Sequence, residues 1–266
     1  MAAPNMSTEP QTVILDTEFD EFAKSILPLY SGASVTIYVG SRDIKYTLPK
    51  ALLCKQSTYF SAMFQGSFKE GEDQTATLEL VDGVVSVRAF EMLAQWLCIG
   101  RVVFKGSTSK NPTSEESTAK ESTPEESIAA AIEFSRLADM CGIIGTEAQA
   151  AAHIKDTILA SLTTSRNPDK NTCHITSAHI ISAAHLPRGH AVRQILAKAS
   201  VEGYLNLQHH KFSEEAQCVA SFSADLLIAV RETMRSIRVN GSSGIEFEEP
   251  ISGKLLLLRS HLLRYS

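Results

Sequence analysis

The sequence predicts an α+β fold, in which a β-hairpin and short strands pack on a helical cluster and an all-α C-terminal extension follows. Three observations lead to this prediction. Apolar and polar residues alternate over residues 35–39 and 44–48, the pattern of strands with one buried face. Apolar residues recur at helical spacing over residues 86–98 and in shorter segments before them. Helical patterns return over residues 174–238 and predict the extension.

The first predicted element is an amphipathic helix over residues 16–30. Acidic residues in its first turn suit a helix N-terminus. Its apolar positions recur at helical spacing and are Phe19, Phe22, Ile26 and Leu29. Residues 1–15 are mostly polar or small, and we expect them to be disordered.

The predicted hairpin leads into two short helices. Ser57 can cap the second of them through its hydroxyl group. Phe60 and Phe64 lie four residues apart and therefore share one face of that helix. Residues 76–80 alternate again and predict a further short strand.

A longer helix is predicted over residues 86–98. Phe90, Leu93 and Leu97 form one apolar stripe, and Trp96 lies beside it. A stripe this broad on a short helix predicts burial on more than one side. We interpret most of these positions as core, and an interface is the alternative for Trp96.

Residues 105–123 form an insertion without a large apolar side chain. Such a segment cannot offset its ordering entropy by burial, so we expect it to be disordered. Thr123, Pro124 and Glu126 then supply an N-cap, a first helical residue and a capping-box partner. Residues 124–160 are predicted to form the last helices of the first domain.

Hydroxyl groups at the end of the insertion are candidate phosphorylation sites because acidic residues surround them. These sites are Ser114, Ser117, Ser122 and Thr123. Thr123 also precedes a proline. A phosphate on Thr123 would add negative charge at a helix N-terminus and would disturb the cap.

The extension is predicted as helices over residues 176–186, 189–201 and 213–238. The last of these has an apolar stripe at Leu227, Val230, Met234 and Ile237. Residues 239–266 are predicted to be a flexible tail with a short Leu-rich segment, which could form a helix over residues 254–265. Docking of that segment on the extension is the favoured interpretation, since an exposed apolar run promotes aggregation. Binding to a partner or to an acidic membrane surface is the alternative.

Composition excludes few functions but argues against some. A net charge of −5 and a pI near 5.9 disfavour a general nucleic-acid binder. No apolar run is long enough to span a bilayer, and no secretory signal is visible after Met1. We therefore expect a protein of the cytoplasm, the nucleus or both. Five scattered cysteines fit reduced, mostly buried thiols.

No pattern of catalytic residues is present, so the sequence predicts no enzyme, no cofactor and no catalytic residue. One cluster has residue types that can bind a metal ion: Cys173, His174, His179, His185 and His190. Metal ligands on helices favour spacings of three or four, which place them on one face. Because the larger gaps in this cluster are five and six residues, we predict surface or capping histidines and no metal.

The order of these elements resembles the BTB/POZ domain, and specifically the small stand-alone BTB proteins common in fungi. The resemblance rests on the hairpin followed by LPKALL, STYFSAMF, SFKEG, ATLEL and RAFEMLAQWLCIGRV, and then on IEFSRLADMCGI. It places the domain at residues 31–104 and 124–160, and residues 174–238 resemble the BACK-like extension of such proteins. Two positions depart from the family. Pro49-Lys50 replaces its usual His-Lys pair, and Ser34 stands where an acidic residue is common.

The resemblance implies a non-enzymatic adaptor that binds other proteins. It implies a homodimer and, as one use of such domains, recruitment of a cullin-3 ubiquitin ligase scaffold. The implied surface includes the second and third helices, and its candidate residues are Tyr59, Met63, Phe64, Gln95 and Trp96. The helix over residues 16–30 either packs on its own domain or swaps onto a partner. No second recognition domain with a repeat period is visible. The alternative is therefore a dimerising regulatory protein or transcriptional co-regulator without ligase function.

Overall fold

The computed structural model describes residues 14, 17–104, 122–161, 169–207, 209–240 and 244–258. The chain divides into two compact units. The first consists of residues 1–102 and 137–146, and the second of residues 103–136 and 147–266. The N-terminus and the insertion, which are predicted to be disordered, lie largely outside the described residues. Within those residues, we find no helix with the length and apolar character needed to cross a membrane.

The first unit contains a three-stranded sheet. Its strands are β1 (Ser34–Val39), β2 (Ser41–Pro49) and β3 (Thr75–Leu78), in the order β2-β1-β3. Strand β1 pairs antiparallel with β2 and parallel with β3. Val35, Ile37 and Val39 are buried on one face of β1, as the alternation predicts.

Helices complete the first unit. They are α1 (Phe19–Glu21), α2 (Lys50–Gln56), α3 (Thr58–Gln65), α4 (Lys69–Asp73) and α5 (Val87–Ile99). The last turn of α6 (Pro124–Met140) also belongs to this unit, because the boundary between the units falls within α6. Buried aromatic rings on α3 and α5, including Phe60, Phe64 and Phe90, form the centre of the core.

The segment predicted as one amphipathic helix is a run of three helical types. Helix α1 continues into a π-helical turn, Phe22–Ile26, and then into a 3-10 turn, Leu27–Tyr30. Ile26 is buried, but Phe19 is 89% exposed. The π-turn changes the residue spacing from 3.6 per turn, and Phe19 therefore does not join the packed face. Phe19 shares the helical spacing of the other apolar residues in the sequence, but only Phe22, Ile26 and Leu29 pack together in the structure.

The second unit is mainly helical. After α6 it contains α7 (Glu147–Ser161), α8 (Ser177–Ala183), α9 (Ala191–Ala199), α10 (Val201–Asn206), α11 (Glu215–Cys218) and α12 (Ala220–Met234). Helix α9 packs against both α7 and α12. Arg193 of α9 and Asp225 of α12 form a buried ion pair, with 2.8 Å between Nε and Oδ2.

The final predicted helix differs from the structure in two respects. It breaks at Val219, between α11 and α12, and its buried face is rotated from the predicted one. Leu226 and Val230 are buried, whereas Leu227 and Met234 are 59% and 56% exposed. Leu226 and Leu227 are adjacent and equally apolar, so periodicity alone does not decide which of them is buried.

The region predicted as a flexible tail contains a second sheet. Its antiparallel strands are β4 (Arg238–Asn240), β5 (Gly244–Glu248) and β6 (Leu255–Leu257), in the order β4-β5-β6. The predicted helix from residue 254 is therefore wrong for the described residues. The strands lie in the tail, whereas the extension predicted over residues 174–238 is helical up to the start of β4. The buried Glu249 carboxylate accepts the N–H groups of Ile251 and Ser252, each at 2.7 Å, and so holds the β5–β6 turn. A short run of leucines fits a strand or a helix equally well, and this turn favours the strand.

Candidate protein-interaction surface

Helix α3 is held in place by one buried hydroxyl group. Ser57 Oγ accepts the N–H of Phe60 at 3.1 Å and donates to the Cys141 carbonyl at 2.6 Å. The first bond caps α3, as the sequence predicts. The second ties this cap to the turn that follows α6. In that turn Gly142 has φ of +64°, and a Cβ atom there would overlap Thr58 Oγ1. The position of α3 therefore depends on Ser57 and on a glycine at residue 142.

The structure separates the candidate surface residues into two groups. Tyr59, Met63 and Gln95 are partly exposed. Phe64 and Trp96 are only 1% and 6% exposed. Phe64 stacks near Phe60, with ring centroids 6.3 Å apart. The assignment of Phe64 and Trp96 to an interaction surface is therefore wrong, because both belong to the core.

Sequence reasoning missed other apolar residues on the surface of the first unit. Leu80, Phe68 and Ile144 are 60%, 58% and 57% exposed. Phe68 lies just before α4, and Ile144 lies in the turn after α6. Phe68 and Ile144 occur in loops without periodicity, so the sequence offers no pattern that would have identified them as exposed. Leu80 belongs to the strand predicted over residues 76–80, but β3 ends at Leu78 and leaves it outside the sheet.

The helical segment over residues 17–30 combines an anchored face with an exposed one. Ile26 packs in a buried cluster with Ile14 and Leu52. The Tyr30 hydroxyl donates to the Cys98 carbonyl, and burial, followed by the Cys98 thiol, raises the pKa of Tyr30. On the other side Phe19 is 89% exposed and Leu27 is 54% exposed. The segment is thus held on its own unit and still exposes apolar side chains.

The start of α6 has the capping box that the sequence predicts. Thr123 Oγ1 accepts the Glu126 N–H at 3.2 Å, and Glu126 Oε2 accepts the Thr123 N–H at 3.0 Å. Of the candidate phosphorylation sites, Ser114 and Ser117 lie outside the described residues, Ser122 is half-buried and Thr123 is exposed. Phosphorylation at these positions stays a prediction. Phosphopeptide mapping checks it, and unmodified peptides at full coverage would contradict it.

The histidines considered as possible metal ligands make separate local contacts. His179 Nδ1 accepts the Thr176 N–H at 3.1 Å, and His190 Nδ1 accepts the Val192 N–H at 3.2 Å. His174 pairs with the Glu125 carboxylate. Among the residues that the structure describes, no group of three or more potential ligands could hold a metal ion.

Two further titratable groups are buried without an obvious chemical role. His153 Nε2 lies 2.7 Å from Ser127 Oγ, and its ring stacks on Phe104 at 4.0 Å. Burial lowers the pKa of His153, and Asp156 opposes this shift. All five cysteines are free thiols, and burial raises the pKa of Cys141 to about 12. A thiol with this pKa is a poor nucleophile.

Comparison with protein families matches residues 29–120 to the BTB/POZ domain. No curated protein matches the chain. The matched residues include the sheet β2-β1-β3 and helices α2 to α5, which carry the residues of the candidate surface. This domain generally mediates contacts between proteins, in agreement with apolar side chains exposed around a well-held core. The chain contains a BTB/POZ domain, followed by a largely helical C-terminal region.

Proposed function

We propose that this chain is a non-enzymatic adaptor that self-associates through its BTB/POZ domain and recruits a partner protein. The exposure of Phe19 and Leu27, on a segment anchored by Ile26, carries the first part of this proposal. Large apolar side chains at this degree of exposure favour burial against another surface. In a homodimer the same patch of both protomers would meet across a two-fold axis.

Variants in the exposed face of the segment test self-association. The double variant Phe19→Glu/Leu27→Glu places charges on the proposed interface and leaves Ile26 and Tyr30 unchanged. We expect wild-type protein to sediment as a dimer at micromolar concentration and the variant to sediment as a monomer. A monomeric wild-type protein would refute self-association. A variant that remains a dimer would show that the interface does not include Phe19 and Leu27.

The proposed partner is a cullin-3 scaffold. The partly exposed Tyr59 and Met63 on α3 and the exposed Phe68 support this choice, because the surface used by related domains includes the second helix. Aromatic and methionine side chains are also enriched at protein interfaces. Phe68→Glu is expected to remove cullin binding and to preserve the dimer, whereas Phe19→Glu/Leu27→Glu should do the reverse.

The two variants therefore separate the two activities. Binding is measured by titrating purified cullin-3 N-terminal region into labelled protein. A wild-type dimer that binds no cullin would exclude the ligase role. That result would favour the second candidate, a dimerising regulatory protein or transcriptional co-regulator. Because we expect no direct contact with nucleic acid, the second unit would then also act by binding other proteins.

A further inference from the structure

Helix α12 of the second unit has an outward face with an unusual composition. Phe222, Leu226 and Val230 are buried on the inner side, with Thr233. The residues on the outer side are spaced three, four or seven positions apart along the helix, so they form one surface. We call this surface the α12 stripe, and its members are Ala220, Ala224, Leu227, Ile228, Arg231, Met234 and Arg235.

The stripe is apolar along its length. Leu227 is 59% exposed, Met234 is 56% exposed and Ile228 is 39% exposed. Leu227 and Met234 are seven residues apart, so their side chains lie about 10 Å apart along the helix axis. This is the spacing of successive anchor positions when an amphipathic helix binds in a groove.

The charges within the stripe have one sign. Arg231 and Arg235 are exposed and lie four residues apart, on the same face. Neither forms an ion pair with any carboxylate of the described chain. The nearest acidic residue of the helix, Glu232, is exposed at the border of the stripe and lines a cleft with Ile228 of the stripe and Lys198 of α9. A basic, apolar stripe thus occurs on a chain whose net charge is −5.

We propose that the α12 stripe binds an amphipathic, acidic segment of a partner protein. Leucine-like side chains of the segment would cover Leu227, Ile228 and Met234, and its carboxylates would pair with Arg231 and Arg235. Such pairs on the rim of an interface select the partner and speed association. The chain would then have a recognition surface in its second unit, separate from the BTB/POZ domain.

Two other occupants fit less well. Residues 259–266 of the same chain contain Arg259 and Arg264 and no acidic residue, so their charge repels the arginines of the stripe. An anionic membrane surface attracts basic residues, but lasting attachment requires larger basic clusters or a lipid anchor. The stripe offers two arginines, and an acidic peptide matches both its charge and its spacing.

The test uses the full chain and a designed helical peptide. The peptide has leucines at positions i, i+3, i+4 and i+7 and glutamates beside them, and a second version has lysine in place of every glutamate. We expect saturable binding of the glutamate peptide in fluorescence anisotropy. Arg231→Glu/Arg235→Glu should weaken it at least about tenfold, the usual consequence of replacing central interface residues. The Met234 methyl NMR signal should shift on binding, while that of Met140, in the first unit, serves as an internal control.

Matched variants make the result specific. Leu227→Ser should weaken binding, whereas Ile181→Ser changes an apolar residue of α8 that is 49% exposed and should not. Absence of saturable binding, equal binding of the lysine peptide, or an unchanged affinity in the arginine variant would overturn the proposal. Binding only to vesicles with phosphatidylserine would overturn it in favour of a membrane. If the peptide binds only after residues 259–266 are deleted, those residues themselves cover the stripe in the full chain, and the proposal is overturned.

Discussion

The buried ion pair between α9 and α12 offers the sharpest test of how the second unit is held together. Arg193 and Asp225 are 8% and 9% exposed, and 2.8 Å separates Nε from Oδ2. Asp225→Ala would leave the guanidinium group buried without its carboxylate. Removing one partner of a buried pair typically costs about 3–5 kcal/mol. Arg193 also donates to the carbonyls of Leu186 at 2.9 Å and Ser221 at 3.1 Å. Because these acceptors remain, we expect the lower end, about 3 kcal/mol.

Urea unfolding followed by far-UV circular dichroism measures this loss. The single tryptophan, Trp96, lies in the first unit, so its fluorescence should report a much smaller change in the same samples. Glu232→Ala, at an exposed position on the same helix, is the control and should change the free energy of unfolding by less than about 0.5 kcal/mol. The apolar double replacement Arg193→Met/Asp225→Leu should recover most of the lost stability. A loss below about 1 kcal/mol for Asp225→Ala would refute the reasoning.

Three further changes test the contacts that position the helices. Ser57→Ala should destabilise the first unit by about 2 kcal/mol, since it removes the cap of α3 and the bond to the Cys141 carbonyl; urea unfolding followed by tryptophan fluorescence measures it. Gly142→Ala should cost about 1–2 kcal/mol in the same assay, because φ is positive and the new Cβ atom meets the Thr58 hydroxyl. Because burial lowers the pKa of His153, the unfolded chain binds a proton that the folded chain excludes. Stability should therefore fall as pH drops below about 6.5, and His153→Phe should reduce this slope in unfolding curves measured over that range.

Each of these three has an outcome that contradicts it. Ser61→Ala, on the exposed side of α3, is the control for Ser57→Ala, and equal losses in the two variants would exclude the capping role. A Gly142→Ala protein as stable as the wild type would show that the turn after α6 is not constrained. If the free energy of unfolding depends on pH equally steeply in His153→Phe and in the wild type, other buried groups cause the pH dependence. His179 is one such group, because burial also lowers its pKa.

The sequence predicts the first unit well because its pattern and its local chemistry agree. Alternation specifies the buried face of β1, and the side-chain cap at Ser57 marks where α3 begins. In the second unit, the cap at Thr123 likewise marks where α6 begins. These signals depend on neighbouring residues alone. The BTB/POZ resemblance added the order of the elements, and the match to residues 29–120 confirms it.

Errors arose where tertiary packing decides between equivalent local choices. Leu226 and Leu227 are equally apolar, and tertiary packing of α12 buries only the first. The leucines of β6 suit a helix as well as a strand, and the buried Glu249 selects the strand through the turn. The BTB/POZ resemblance implies that Phe64 and Trp96 belong to an interaction surface, although both lie in the core. Some exposed apolar residues, such as Phe68, occur outside regular periodicity.

The central claim is that this chain acts by binding proteins, beginning with a second copy of itself. Sedimentation equilibrium of the full chain at micromolar concentration tests it most directly. We expect a mass of twice 29.0 kDa, reduced to that of one chain in Phe19→Glu/Leu27→Glu. A wild-type protein that sediments with the mass of one chain over the whole concentration range would contradict the claim.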